Sequence, residues 1–189
     1  VGGAVLNVGD PQPGQSVAVV GLGGVGMAAV LTALTYTDVR VVAVDQLPEK
    51  LSAAKALGAH EIYTPQQATA GGVKAAVVVE AVGHPAALHT AIGLTAPGGR
   101  TITVGLPPPD VRISLSPLDF VTEGRSLIGS YLGSAVPSHD IPPLRVVVAI
   151  GPSAGGVAGD VNDSVGRYQR GDGPPRRWHR GASAHQFHR

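Results

Sequence analysis

Gly21, Gly23 and Gly26 stand in a Gly-x-Gly-x-x-Gly pattern inside the stretch AVVGLGGVGMAAV, and Asp45 follows 19 residues after the last of them. Glycines at this spacing let a backbone turn tightly and bring its N–H groups against a phosphate. An acid about 20 residues further on is placed to hold a ribose hydroxyl. The chain has 27 glycines, so the triplet alone does not separate a nucleotide-gripping loop from an ordinary turn.

The flanks separate them. Residues 15–20 are a Val-rich run after Pro13 and Gly14, which reads as a buried parallel strand. Residues 27–34 are Met, Ala, Val and Leu with one Thr, a helix apolar nearly all round. The triplet thus lies at a strand-to-helix junction, where the first helical N–H groups face an anion. A second Val-rich strand, residues 39–44, ends in Asp45. A carboxylate there accepts hydrogen bonds from both ribose hydroxyls and repels a 2′-phosphate. No Arg follows Asp45 directly, so NAD is expected over NADP.

Further elements must position these groups. Pro48 opens a helix through Leu51, Ala54 and Leu57 that stops at Gly58. Residues 61–63 form a short strand, and 66–72 a weak helix or loop. Residues 75–80 form a fourth apolar strand, and Gly83, His84 and Pro85 open a helix through Ile92. Pro97, Gly98 and Gly99 then turn the chain into a strand over 100–105. This alternation predicts an α/β fold with a parallel sheet covered on both faces. Its ligand crevice lies beyond the C-terminal strand ends, where Gly21, Asp45, Ala81, Val82, Gly83, Val104, Gly105 and Leu106 all fall.

Composition bounds the function. The 189 residues are 43% hydrophobic, enough for one domain with a real core. There is no Cys, which excludes a disulfide framework and a thiolate metal site. No apolar run approaches the roughly 20 residues of a membrane span. The first residues, VGGAV, lack a basic n-region, so they do not read as a signal peptide but as a chain entered part-way. A cytoplasmic location with no membrane partner is expected. His84 and His89 are five apart, poor ligand spacing on a helix, and His60 and His139 stand alone. All four read as surface or loop histidines, and no metal site is assigned. Ser130 and Ser134 have no base beside them, so no catalytic residue is assigned either.

The stretches VGLGGVGMAAV, VVAVDQLPEKLSAAKALGA, VVVEAVGHPAALHTAIGLTAPGGRTITVGLP and GRSLIGSYLGS resemble, in the same order, the cofactor domain of zinc-type alcohol dehydrogenases of the medium-chain dehydrogenase/reductase family. The resemblance covers about residues 1–142 and implies a Rossmann-like doubly wound sheet that binds NAD(H). On it, Gly21, Leu22, Gly23, Gly24, Val25 and Gly26 match the pyrophosphate loop. Asp45, with Gln46 beside it, matches the adenosine-ribose acid, and Lys50 a basic residue reaching the same ribose. Ala81, Val82 and Gly83, with Val104, Gly105 and Leu106, match the path to the nicotinamide. Residues 126–131 match an edge strand that pairs two subunits in dimeric relatives, which implies a homodimer. The family also implies a catalytic zinc, held by Cys and His (sometimes Glu) from a separate domain that is not found in this sequence. Relatives usually carry a glycine before the second strand, where this chain has Thr35, Tyr36, Thr37 and Asp38.

The pattern stops at Pro143. Residues 1–142 carry 7 Lys and Arg against 10 acids, net −3, whereas residues 143–189 carry 7 Arg against 3 acids, net +4. One reading of 143–189 is a disordered or poorly packed basic tail. A second is nucleic-acid binding through Arg176, Arg177 and Arg180 with Trp178 stacking. A third, preferred to both, is a frameshift. Codons permitted for residues 167–186, read one nucleotide later, allow Asp-Ile-Asn-Glu-Ala-Met-Asp-Arg-Leu-Ala-Asp-Gly-Thr-Ala-Val-Arg-Gln-Leu-Ile. That string has the apolar spacing of an amphipathic helix and resembles the family's terminal elements, and it removes the need for a nucleic-acid partner.

The functional expectation is therefore the NAD-holding part of an alcohol dehydrogenase-like oxidoreductase, with hydride transfer between NAD(H) and an alcohol or aldehyde. This chain alone is expected to be incomplete and inactive. The alternative is a non-catalytic nucleotide-binding module or a decayed gene remnant.

Overall fold

The computed structural model describes residues 2–134. The tail from 143 and its reading as out-of-frame sequence lie outside the described residues, as does His139. Six strands form one sheet: β1 (Ser16–Val20), β2 (Arg40–Val44), β3 (Glu61–Tyr63), β4 (Ala75–Glu80), β5 (Thr95–Thr103) and β6 (Ser126–Gly129). Their order across the sheet is β3-β2-β1-β4-β5-β6, and every pairing is parallel. This is the doubly wound arrangement expected. Its order reverses between β1 and β4, which opens a crevice above those two strand ends.

Val-rich strands form because both faces are buried. Val17, Val19, Val41, Ala43, Val77, Val79 and Ile102 pack on one side with Ala29, Val30 and Ala33 of α1 (Gly24–Ala33) and Leu51 and Ala54 of α2 (Pro48–Ala56). Ala18, Val20, Val42, Val44 and Val78 pack on the other side with Ala68 of α3 (Pro65–Ala70) and Ala91 and Leu94 of α4 (Pro85–Leu94). Each fully buried Val contributes about 1.5–3 kcal/mol of transfer free energy.

Helix boundaries follow from local chemistry. α2 starts with Pro48 in its first turn and ends before Gly58, whose φ of 110° only glycine adopts readily. α3 is better defined than its composition suggests. Thr64 Oγ1 accepts from the Gln67 N–H, and the Gln67 side chain accepts from the Thr64 N–H, a reciprocal capping box. His84 caps α4, its Nδ1 accepting from the Ala86 N–H, and His60 Nδ1 accepts from the Val41 N–H. Both histidines thus serve backbone groups.

Four features differ from the sequence expectation. β5 begins at Thr95 and takes in the expected turn at Pro97, Gly98 and Gly99, with a register shift against β4, and it ends at Thr103. Residues 4–9 form a π-helical turn whose Ala4 and Val5 are fully buried. A fifth helix, α5 (Pro117–Glu123), precedes β6 and buries none of its residues. β6 ends at Gly129 rather than residue 131, because the chain kinks through Leu132 and Gly133 at positive φ. Among the described residues no helix is long and apolar enough to cross a membrane.

Candidate functional site

The C-terminal ends of the inner strands are stitched together by backbone hydrogen bonds. Gly21 N–H donates to the Val44 oxygen, Ala81 N–H to Val20, and Val104 N–H to Glu80, at 2.8 to 2.9 Å. The chain leaves β1, β2, β4 and β5 at one level, bringing Gly21–Gly26, Asp45, Ala81–Gly83 and Val104–Leu106 to one rim.

The three glycines of the triplet do different jobs. Gly21 has φ of 91°, and a Cβ there would lie 2.3 Å from Val82 Cγ2. A Cβ on Gly26 would lie 1.8 Å from the Gly21 oxygen, so Gly26 is what lets α1 pack on the turn. Gly23, the N-cap of α1, and Gly24 after it have no atom within 4 Å of an added Cβ. Gly23, Gly24 and Val25 are exposed while Gly21, Leu22 and Gly26 are buried. Open backbone at a helix N-terminus presents unpaired N–H groups and the positive end of the helix dipole.

Asp45 stands beside this loop. Its Oδ2 accepts from the Leu22 N–H at 2.6 Å and its Oδ1 from the Leu47 N–H at 3.0 Å. Lys50 Nζ approaches Oδ2 to 4.0 Å, and the carboxylate side chain is only 10% exposed. Gln46 and Leu47 are exposed at the same edge. The far edge is apolar, with Val82 51% and Leu106 75% exposed. Gly83 and Gly105 are in contact: a Cβ on Gly105 would lie 2.0 Å from the Gly83 nitrogen, and one on Gly83 2.8 Å from the Leu106 nitrogen.

The structure therefore gathers Gly21, Leu22, Gly23, Gly24, Val25, Gly26, Asp45, Gln46 and Lys50 at one end of the rim. Ala81, Val82, Gly83, Val104, Gly105 and Leu106 lie at the other. One residue there escaped the sequence reading. Glu80, the last residue of β4, is 1% exposed, and its Oε1 accepts from the N–H groups of both Val82 and Gly83 at 2.7 Å. The signal available was a lone acid closing a run of Ala and Val.

Ser130 and Ser134 hydroxyls lie 3.0 Å apart, each the other's partner. Among the described residues no three of His, Cys, Asp and Glu converge on a point that could hold a metal ion. Zinc therefore does not fit the described residues.

Comparison with known proteins identifies the family and the fold. The sequence profile of a family described as zinc-binding dehydrogenase matches residues 24–148. Alcohol dehydrogenase 1 of Pisum sativum is 34% identical over 152 residues, covering 74% of this chain and 39% of that protein. The chain thus spans about two-fifths of the length of the curated relatives it matches. Benzyl alcohol dehydrogenase from Acinetobacter calcoaceticus superposes with a TM-score of 0.75 at 23% identity, over 90% of this chain and 51% of that one. A zinc-binding dehydrogenase from Sinorhizobium meliloti bound to NADP superposes with a TM-score of 0.62 at 20% identity, over 68% of this chain and 41% of that one. At these identities the two structures speak for the fold alone. The profile match extends over most of the sequence: this chain belongs to the zinc-binding dehydrogenase family.

Proposed function

We propose that this chain holds NAD(H) as the cofactor-binding part of an alcohol dehydrogenase-like oxidoreductase, which moves a hydride between NAD(H) and an alcohol or aldehyde. The observation that carries the reading is the pairing of an open helix N-terminus at Gly23 and Gly24 with Asp45 hydrogen-bonded to the same loop. The pyrophosphate sits on the α1 N-terminus, where backbone N–H groups receive its charge. The adenosine ribose sits at Asp45, with Lys50 alongside. The nicotinamide half extends past Val82, Gly83, Val104, Gly105 and Leu106, where exposed apolar side chains suit a flat ring.

The fold is shared with an NADP-bound neighbour, so it does not choose the cofactor. Asp45 does, since its carboxylate opposes a 2′-phosphate. Isothermal titration of the 189-residue protein with NAD and NADP tests this; tighter NADP binding, or none by folded protein, overturns it.

The bound cofactor would supply or accept the hydride. This chain's residues hold the pyrophosphate, orient the ribose and flank the nicotinamide. A second reading, a nucleotide-binding module without turnover, is favoured by one observation: no metal-ligating group forms among the described residues. Homodimerisation through the edge strand β6 completes the proposal. Leu127 on that strand is 37% exposed, and Val121 of the preceding helix α5 is 79% exposed. Sedimentation analysis distinguishes dimer from monomer.

A further inference from the structure

A carboxylate in a strand of Ala and Val demands a reason. Removing a charge from water is expensive unless strong hydrogen bonds replace the lost hydration. At Glu80 they do. Oε1 accepts from the Val82 and Gly83 N–H groups, and Oε2 accepts from the Thr103 hydroxyl, all at 2.7 Å. The Glu80 backbone oxygen meanwhile accepts from Val104 N–H at 2.9 Å and Gly105 N–H at 3.4 Å. No Lys or Arg among the described residues forms an ion pair with it. One residue therefore holds both the turn after β4 and the end of β5. The two meet at the Gly83–Gly105 contact, where there is no room for a single methyl group. With its N–H groups turned inward to Glu80, the turn presents Val82 outward.

We propose that Glu80 is a positioning residue for the nicotinamide half of the cofactor. Through Val82, Gly83 and Thr103 it sets the spacing of the two segments that flank the ring, and it touches no part of the ligand itself. This rests on the reading of the site as an NAD site. Asp45 and the α1 N-terminus, where the adenosine half would sit, share no hydrogen bond with Glu80, so on this reading that half does not depend on it.

The test is ligand-observed NMR of the full chain with NAD, reading saturation transfer to the nicotinamide protons against the adenine protons. Glu80→Met keeps the volume and removes every accepted side-chain bond. It should lower the nicotinamide-to-adenine ratio about fivefold, the scale of one lost hydrogen bond, with adenine transfer retained. Glu80→Gln keeps an acceptor for the turn and a polar partner for Thr103, and should restore the ratio. An unchanged ratio in Glu80→Met overturns the proposal, as does an equal loss at both ends or a failure of Glu80→Gln to rescue. If Glu80→Met does not fold, Thr103→Val decides: it removes one bond and should still lower the ratio, and no change overturns the assignment. Absence of transfer to either end in the unmodified chain overturns the cofactor reading itself, and this assignment with it.

Discussion

Asp45 Oδ2 accepts a 2.6 Å hydrogen bond from the backbone N–H of Leu22, so the acid ending β2 is fastened to the glycine loop after β1. This bond uses the N–H of Leu22 and leaves the backbone from Gly23 to Val25 exposed, the part of the turn proposed to face the pyrophosphate. On the proposed reading, this bond would fix the ribose site at Asp45 and the pyrophosphate site at α1 relative to each other before any ligand arrives.

Removing that carboxylate acts on both. Asp45→Ala should weaken NAD binding by about 1.5–3 kcal/mol, the worth of hydrogen bonds to a charged group. It should also narrow the preference over NADP, because the repulsion of a 2′-phosphate goes with it. Titration calorimetry of both cofactors against both proteins reads the two effects. Equal affinity of the unmodified chain for NAD and NADP would remove Asp45 from its role as selector.

Gly26 and Gly23 should separate stability from binding. Gly26→Ala drives a methyl to 1.8 Å from the Gly21 oxygen, so helix and turn must part. Overpacking of this kind costs about 1–3 kcal/mol and lowers the thermal midpoint. Gly23→Ala meets no protein atom within 4 Å and has an ordinary φ of −72°, so the fold should hold. Its methyl instead occupies the space the pyrophosphate needs, and NAD affinity should drop. Denaturation and NAD titration of both variants give the comparison; a Gly23→Ala protein binding NAD normally would place the phosphate elsewhere.

What could be read from the sequence was what local pattern determines. The Val runs of β1, β2 and β4 are apolar because both faces are covered, and the triplet announces its own turn. Long-range packing was not legible. Ala4 and Val5 look like any small apolar pair, and they are buried because the first turn packs against the sheet beside Val77 and Ile102. Glu80 reads as the end of a strand until Val82, Gly83 and Thr103 are brought to it by the fold. The kink after β6 takes left-handed backbone at Leu132 as well as Gly133; the glycine is a signal for such a turn, but a leucine at positive φ is not. The capping box at Thr64 and Gln67 could have been found, since its spacing is in the sequence.

Tyr63 should titrate late. Its hydroxyl donates to Glu61 Oε2 at 2.7 Å, and this bond, with some burial and the Glu61 charge, raises its pKa above the ordinary value of 10.0, against a smaller opposing pull from Arg40. A raised folded-state value means that the stabilising contribution is full below the unfolded pKa and is lost as pH rises through the folded one. Ultraviolet titration of the protein against Tyr63→Phe isolates this tyrosine. Glu61→Gln should bring its midpoint down, and an unchanged midpoint would show that the hydrogen bond is not the cause.

The purified 189-residue protein should not oxidise alcohols or reduce aldehydes, with or without added zinc. It has no Cys, and its described His, Asp and Glu side chains form no group of three. Without a metal or another electrophile at the substrate oxygen, hydride transfer lacks its charge stabilisation. A coupled NADH absorbance assay suffices, and zinc-dependent turnover would contradict the prediction.

The gene should explain the basic tail. Residues 143–189 hold 7 Arg and no Lys, a bias that selection for a basic surface does not require but that GC-rich codons read out of frame produce readily. The family profile match ends at residue 148, close to where the charge swings from −3 to +4. The tryptophan codon at Trp178 followed by any histidine codon forces a glycine in the shifted frame, and the remaining codons permit an amphipathic helix around it. Sequencing the gene across codons 142 and 143 should show one insertion or deletion, with the shifted frame continuing as a dehydrogenase C-terminus. Stop codons or unrelated residues in that frame would mean that the arginines were selected. In that case a salt-dependent affinity for DNA, with Trp178 stacking on bases, becomes the measurement to make.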